Sequence, residues 1–292
     1  MRISLNLKEK PILFSLLLFL INLLLPSSSS ALEISFIWKA GLQRSSFSLI
    51  NRSLASWVER MQKEAELQGW SVEPSSLPHL RYGYEMAFGL EAALTSRWSQ
   101  GLASGFLYFE LTEKRTSVSV KKENNIYFYA HPAKATAVPL GLNLTYFLPL
   151  HKNSRIFIKG EVGLLLARYI DREANRKETD LKFVYPVYQN ARANSPYVLL
   201  GLGFSFQPES ATSFLLQIDY RQARTTDFKG INKAGQEGPL EFFEEYLPSL
   251  DFWQARLLVV TAEPDPELSR NRQKAVIDFS GFSIKIGMAI KF

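Results

Sequence analysis

Cysteine is absent from all 292 residues. That excludes a disulfide scaffold, a thiolate metal site, a cysteine nucleophile and a lipidated N-terminal cysteine. Histidine is nearly as scarce. His79, His131 and His151 are the full set, and no two are close enough in sequence to suggest a metal pair. No glycine-rich phosphate loop, Gly-x-Ser-x-Gly elbow or His-Glu-x-x-His helix occurs, so the common nucleotide, esterase and zinc-protease signatures are missing. Charge of one sign is not in excess either. The 34 basic and 28 acidic residues give +6 and are interspersed, which argues against a nucleic-acid arm. Mean hydropathy is near zero. That excludes a helical membrane bundle but not a barrel, whose strands are only half apolar.

What the chain does have begins with a secretory leader. Arg2, Lys8 and Lys10 give a basic start, residues 12–25 an apolar core too short to span a bilayer, and Pro26 a break. Ser29-Ser30-Ala31 is a small-residue cleavage site, so residues 1–31 are expected to be removed and the mature chain to start at Leu32. Asn143-Leu-Thr matches a glycosylation acceptor, but it sits mid-strand and is discounted.

The other end is the clearest element. In residues 279–292, Phe282, Ile284, Ile286, Met288, Ile290 and Phe292 alternate with Gly281, Ser283, Lys285, Gly287, Ala289 and Lys291. Strict alternation makes a strand with one greasy face. On a soluble protein such a terminal strand would be an aggregating edge. A strand whose apolar face meets lipid, and whose edge closes on the first strand, has neither problem.

Seven further strands are predicted before it: residues 32–41, 80–94, 102–120, 137–148, 155–170, 197–206 and 212–225. Connections after the second, fourth and sixth are short: 95–101, 149–154 and 207–211. Those after the first, third, fifth and seventh run from roughly 16 to nearly 50 residues, well beyond ordinary loops. Short turns on one side and long loops on the other mark an outer-membrane barrel. The chain therefore resembles the outer-membrane β-barrel proteins, in particular the small OmpA-, OmpX- and OmpW-like group, over residues 32–292. In that family the closing strand ends in Phe or Trp and is read by the barrel-assembly machinery. The resemblance implies an all-β, membrane-spanning, antiparallel up-and-down barrel of about eight strands with long extracellular loops. It implies outer-membrane lipid and lipopolysaccharide as surroundings, Phe292 as the assembly signal, and a monomer. It carries almost nothing about activity.

Period-2 patterning then assigns faces. Ile34, Phe36, Trp38 and Ala40 of the first strand, Leu107, Phe109 and Leu111 of the third, Leu142, Leu200 and Ile286 are expected outside. Arg81, Glu85, Glu91, Glu110, Lys159, Glu161, Asp219, Arg221 and Lys285 are expected inside, where eight strands leave a lumen just filled by side chains. Five acids against four bases suggests a paired plug. Trp38, Tyr82 and Tyr84 should mark the long-loop rim, and Trp98, Tyr146, Phe206, Phe214 and Phe292 the short-turn rim.

Phe47, Ile50, Leu54, Trp57 and Met61 recur at helical spacing within 47–68, with Gly69 as the stop. This helix reads as a lid on the rim; an interfacial helix would carry a more basic polar face. The last loop, 226–273, contains residues 240–247 and a strand-like run 252–261, read as a loop hairpin because a ninth strand would break parity. His79 and His131 fall on the long-loop side, near Glu73, Ser75 and Ser76, but at no spacing that defines a catalytic site. No catalytic, cofactor or metal residue is assigned. The function expected is structural or interactive, spanning the membrane and presenting loops. The alternatives are a narrow pore for small or apolar solutes and a lipid A-modifying barrel enzyme.

Overall fold

The structure is a computed structural model and describes residues 33–73, 79–123, 125–180, 184–208 and 211–292. The expected leader and Ser75 and Ser76 lie outside the described residues. Eight strands close a ring: β1 (Ile34–Ser45), β2 (Tyr82–Ala93), β3 (Trp98–Leu111), β4 (Ala133–His151), β5 (Ser154–Lys177), β6 (Val184–Phe206), β7 (Thr212–Gln222) and β8 (Gly281–Lys291). Each pairs antiparallel with its sequence neighbours, and β8 pairs back onto β1 with Ser35 opposite Lys291 and Ser45 opposite Gly281. Closure removes the sheet edges that a membrane core cannot solvate. Shorter strands outside the ring bring the total above eight.

The outward faces form one continuous apolar belt. Phe36, Leu90, Leu102, Leu144, Ile158, Leu202, Leu216 and Ile286 represent the eight strands in order, and all are exposed. Tyr82, Tyr84 and the tilted ring pair Tyr220–Phe282 (4.9 Å) edge the belt at the long-loop end. Trp98–Tyr146 (4.6 Å), Phe206, Phe214 and Phe292 edge the other. Two aromatic girdles around an apolar band are what lipid on all sides requires. Trp38 departs from expectation. It pairs with Phe88 and Met288 in the body of the wall, away from the long-loop rim.

The third strand is a full register out from the sequence reading. Leu107, Phe109 and Leu111 point inward and are buried, while Phe106 faces lipid. Ser104, opposite lipid-facing Phe88 and Leu140, is also outward. A one-residue shift moves every side chain to the other face, so Glu110 leaves the lumen; it accepts a hydrogen bond from Tyr108 (2.5 Å) on the outer side. The strand ends at Leu111, and residues beyond it form a short helix, Glu113–Thr116, and a separate strand, Ser117–Lys122. Arg81 precedes β2 and is exposed.

The wall continues past the belt. β5 and β6 run 24 and 23 residues, so the long connection expected after the fifth strand is mostly an extended hairpin. Strands Asn125–Ala130, Ser117–Lys122 and Ser71–Val72 extend the sheet from β5, and Lys229–Asn232, Glu237–Leu247 and Phe252–Val259 extend it from β6. The run 252–261 is thus part of this upper storey and does not cross the membrane. Helix α1 (Ser48–Leu67) packs on Phe252–Val259 and on Ser71–Val72, so it bridges the two sheet edges. Its Trp57, Val58, Met61 and Ala65 pack with Val118 and Val120. Ile50 and Leu54 join the core shared with the upper barrel. The helix is a lid, as its mixed polar face suggested.

Substitution tests the facing. Leu200→Arg should destabilise the barrel by about 2 to 4 kcal/mol, as a charge in the lipid-facing band does. Spin labels at Leu142, Leu200 and Ile286 should relax with lipid-soluble oxygen, and labels at Leu107 and Lys285 should not. Relaxation at Leu107 equal to that at Leu142 would restore the register read from sequence.

A layered lumen and its short-turn pocket

The lumen has three layers. Nearest the lid, Phe47, Phe109 and Phe279 meet edge to face, with ring centroids 4.8, 5.6 and 6.3 Å apart. All three are buried in the shared core. Such contacts add to plain apolar burial.

Below them lies a layer of charge. Lys285 bridges Glu85 (2.8 Å) and Asp219 (2.7 Å). Arg221 pairs with Glu85 and donates to Gln43 Oε1 at 2.8 Å, and Gln43 in turn donates to the Phe279 carbonyl at 2.8 Å. Lys159 pairs with Glu161 at 3.0 Å and approaches Glu91 at 3.9 Å. Tyr197 donates to Glu161 (2.6 Å) and Ser99 to Glu91 (2.8 Å). The buried acids are Glu85, Glu91, Glu161 and Asp219, and the buried bases Lys39, Lys159, Arg221 and Lys285. Seven of these eight are residues expected inside. Lys39 and Gln43 were missed, although the outward run Ile34, Phe36, Trp38, Ala40 places odd-numbered residues of β1 inward.

Glycines make the layer fit. A Cβ at Gly203 would stand 2.2 Å from the Phe157 ring, and one at Gly201 would stand 2.2 Å from Asp219 Oδ1. Glycine is the residue that lets backbone come this close.

The third layer is a cavity of about 300 Å3 open at the short-turn end. Ile37, Phe147, Phe157, Leu215 and Ala289 form its apolar wall. Lys39, Lys159 and Glu91 lie at its inner end, and Arg155, Glu33 and Lys291 also line it.

The histidines do not converge. His79 is exposed in a shallow depression with Arg81, Glu110 and Arg115. His151 is exposed at the short-turn end of β4. His131 is buried under the lid, where its Nε2 lies 2.7 Å from Asp171 and its ring meets Trp57 edge to face at 5.3 Å. Burial disfavours the imidazolium there, but the facing Asp171 charge and its hydrogen bond outweigh it and hold His131 above the usual histidine range. Glu173 adds to that rise and Arg60 opposes it. Among the described residues no group of three His, Asp or Glu side chains could hold a metal ion.

No protein-family model matches the chain, and no curated protein matches it. Among solved structures it is similar to the outer membrane protein OprG from Pseudomonas aeruginosa. The identity is 13% over 88% of this chain and 95% of that one, with a TM-score of 0.39. It is also similar to the outer membrane protease OmpT from Escherichia coli, at 10% identity over 92% and 100% of the two chains and a TM-score of 0.31. The fold described above rests on its own ring closure and belt.

Two predictions follow from the interior. Lys159→Met strands Glu161 and should cost roughly 3 to 5 kcal/mol of stability, read as a lower urea midpoint at unchanged slope; adding Glu161→Gln should recover part of the loss. In the cap, a raised folded value means the His131–Asp171 contribution is full below about 6.5 and is lost as pH climbs through the folded pKa. Amide protection in α1, corrected for intrinsic exchange, should therefore fall over that interval in the wild type. It should stay flat in His131→Gln.

Proposed function

We propose that the mature chain is a bacterial outer-membrane barrel with a closed lumen, whose role is structural and interactive: it holds a folded cap at the cell surface. The observation that supports this most is the stacking of a lidded, apolar-cored upper storey directly on a charge-plugged barrel. Eight strands leave an interior that side chains fill, and the interior acids pair with Lys159, Arg221 and Lys285 instead of lining one side of a channel. Surface presentation is then the use left for the extra strands. Among them, strand Glu237–Leu247 is tied to Ser269–Lys274 by Arg272–Glu241 (2.5 Å) and Arg270–Glu244 (2.7 Å), and to the lid by Arg52–Glu244. On this reading the short turns are periplasmic and the lid is extracellular. Phe292 lies at the short-turn end, exposed, where an assembly factor acting from the periplasm would reach it.

The pore reading requires the aromatic and charged layers to part. The enzyme reading requires a site at the rim, and the paired, buried His131 and solvated His79 do not offer one together.

The experiment has two arms. Protein recovered from outer membranes should be heat-modifiable on gels, and deletion of Phe292 should deplete that folded form. Purified protein in planar bilayers should give no steady conductance. Uniform channels would replace the closed barrel with the pore, and undiminished outer-membrane levels of the Phe292 deletion would overturn the assembly role.

A further inference from the structure

We infer that the short-turn pocket is a binding site for a small amphiphile with an acidic head, such as a medium-chain carboxylate, taken up from the periplasmic side. The side of entry rests on the orientation proposed above; the ligand class does not.

The pocket carries an excess of positive charge. Six ionisable groups line the cavity: Lys39, Arg155, Lys159 and Lys291 against Glu33 and Glu91. Four bases and two acids leave a formal +2. Lys291 is occupied by Glu33 at 3.4 Å, and Lys159 by Glu161 at 3.0 Å, with Glu91 next at 3.9 Å. The other two cations are not taken. Lys39 is only 4% exposed, yet among the described residues its ammonium has no carboxylate partner. It donates to a neutral amide, Gln217 Oε1, at 2.5 Å. Arg155 has no ion pair among the described residues. A buried cation without a counter-charge is costly, and an acid seated at the inner end of this cavity would supply one.

The acids of the layer above do not answer that need. Glu85 is engaged by both Lys285 and Arg221, and Asp219 by Lys285. The interior as a whole is balanced, but Asp219 and Glu91 act on the Lys39 ammonium only from beyond ion-pair distance, and their short contacts go to Lys285, Lys159 and Ser99. The Thr145 hydroxyl, buried and lining the same cavity, also lacks a hydrogen-bond partner among the described residues. It can donate to an acid oxygen.

The shape of the pocket fits a tailed ligand. A plug needs no cavity. This one is about 300 Å3, at the lower end of ligand-site volumes. Its wall between the charged inner end and the mouth is Ile37, Phe147, Phe157, Leu215 and Ala289. An inorganic anion would leave that wall wet. A neutral hydrocarbon would leave Lys39 unanswered. An acid with a short tail satisfies both.

The test uses the full mature protein in bilayer nanodiscs, titrated calorimetrically with octanoate, with empty nanodiscs subtracted. One octanoate per barrel should bind, and octanol and octylamine should bind at least roughly tenfold more weakly. Lys39→Met should weaken octanoate by a similar factor while leaving octanol unchanged. Leu215→Trp, which fills the cavity without touching the charge, should abolish both. If Lys39→Met does not fold, Leu215→Trp and the head-group comparison on the wild type still decide. Equal binding of octanoate and octanol, or octanoate binding unaltered by Leu215→Trp, would overturn the site. Either result can occur with the lumen still non-conducting, so failure here is distinct from failure of the closed-barrel reading.

Discussion

An eight-stranded ring encloses an interior that side chains must fill, and the rest of this molecule depends on how that space is filled. Lipid on the outside fixes one face of every strand as apolar. The inner face then has to be packed, paired or wetted. Here it is packed with aromatics beneath the lid, paired in the middle, and left partly open at the short-turn end. The middle layer is what separates the other two. Glu85 takes both Arg221 and Lys285, and Lys285 reaches on to Asp219. Three strands, β2, β7 and β8, are thereby tied together across the lumen.

The same constraint explains what could and could not be read from the chain. Alternation located all eight ring strands because lipid imposes it wherever one face is solvated by hydrocarbon. It gave the right faces for β8, β7 and β4, where the inner partners are polar, as with Asn143 and Thr145. It failed on β3, where Leu107, Phe109 and Leu111 serve a core shared with the lid. Both faces of that strand carry large apolar groups, Phe106 on one and Leu107 on the other. "Apolar means lipid" then loses its force, and a slip of one residue follows. The upper ends of β5 and β6 were hidden for the opposite reason. Beyond the belt no lipid enforces contrast between faces, so residues 171–177 and 184–196 look like loop.

The lid was legible as a helix, and its role follows from geometry. The upper storey is an incomplete wall whose free edges are Ser71–Val72 and Phe252–Val259. Exposed strand edges invite pairing with other chains. Helix α1 lies between them, and its Ser56 hydroxyl accepts the amide of Ala255 at 2.8 Å, so an edge donor is satisfied from the helix side. The apolar stripe that could have been a lid or a lipid-binding face is the face of a lid that fills an upper barrel closed by a helix where a strand is missing.

The closed lumen proposed above would be a cooperative property of these layers. To open a path, the Phe47–Phe109–Phe279 contact has to part, and Phe47 is continuous with the lid helix, so the lid must shift as well. Gln43 holds the Phe279 carbonyl and accepts from Arg221, so the aromatic layer cannot move without disturbing the charged one. Arg221 and Lys285 both leaving Glu85 would strand a buried carboxylate, at a cost of roughly 3 to 5 kcal/mol. No single side-chain rotation relieves these together. On the closed-barrel reading proposed above, the cavity below is a pocket with a floor, since the layer that would have to yield to make it a channel is the one that ties β2, β7 and β8 together.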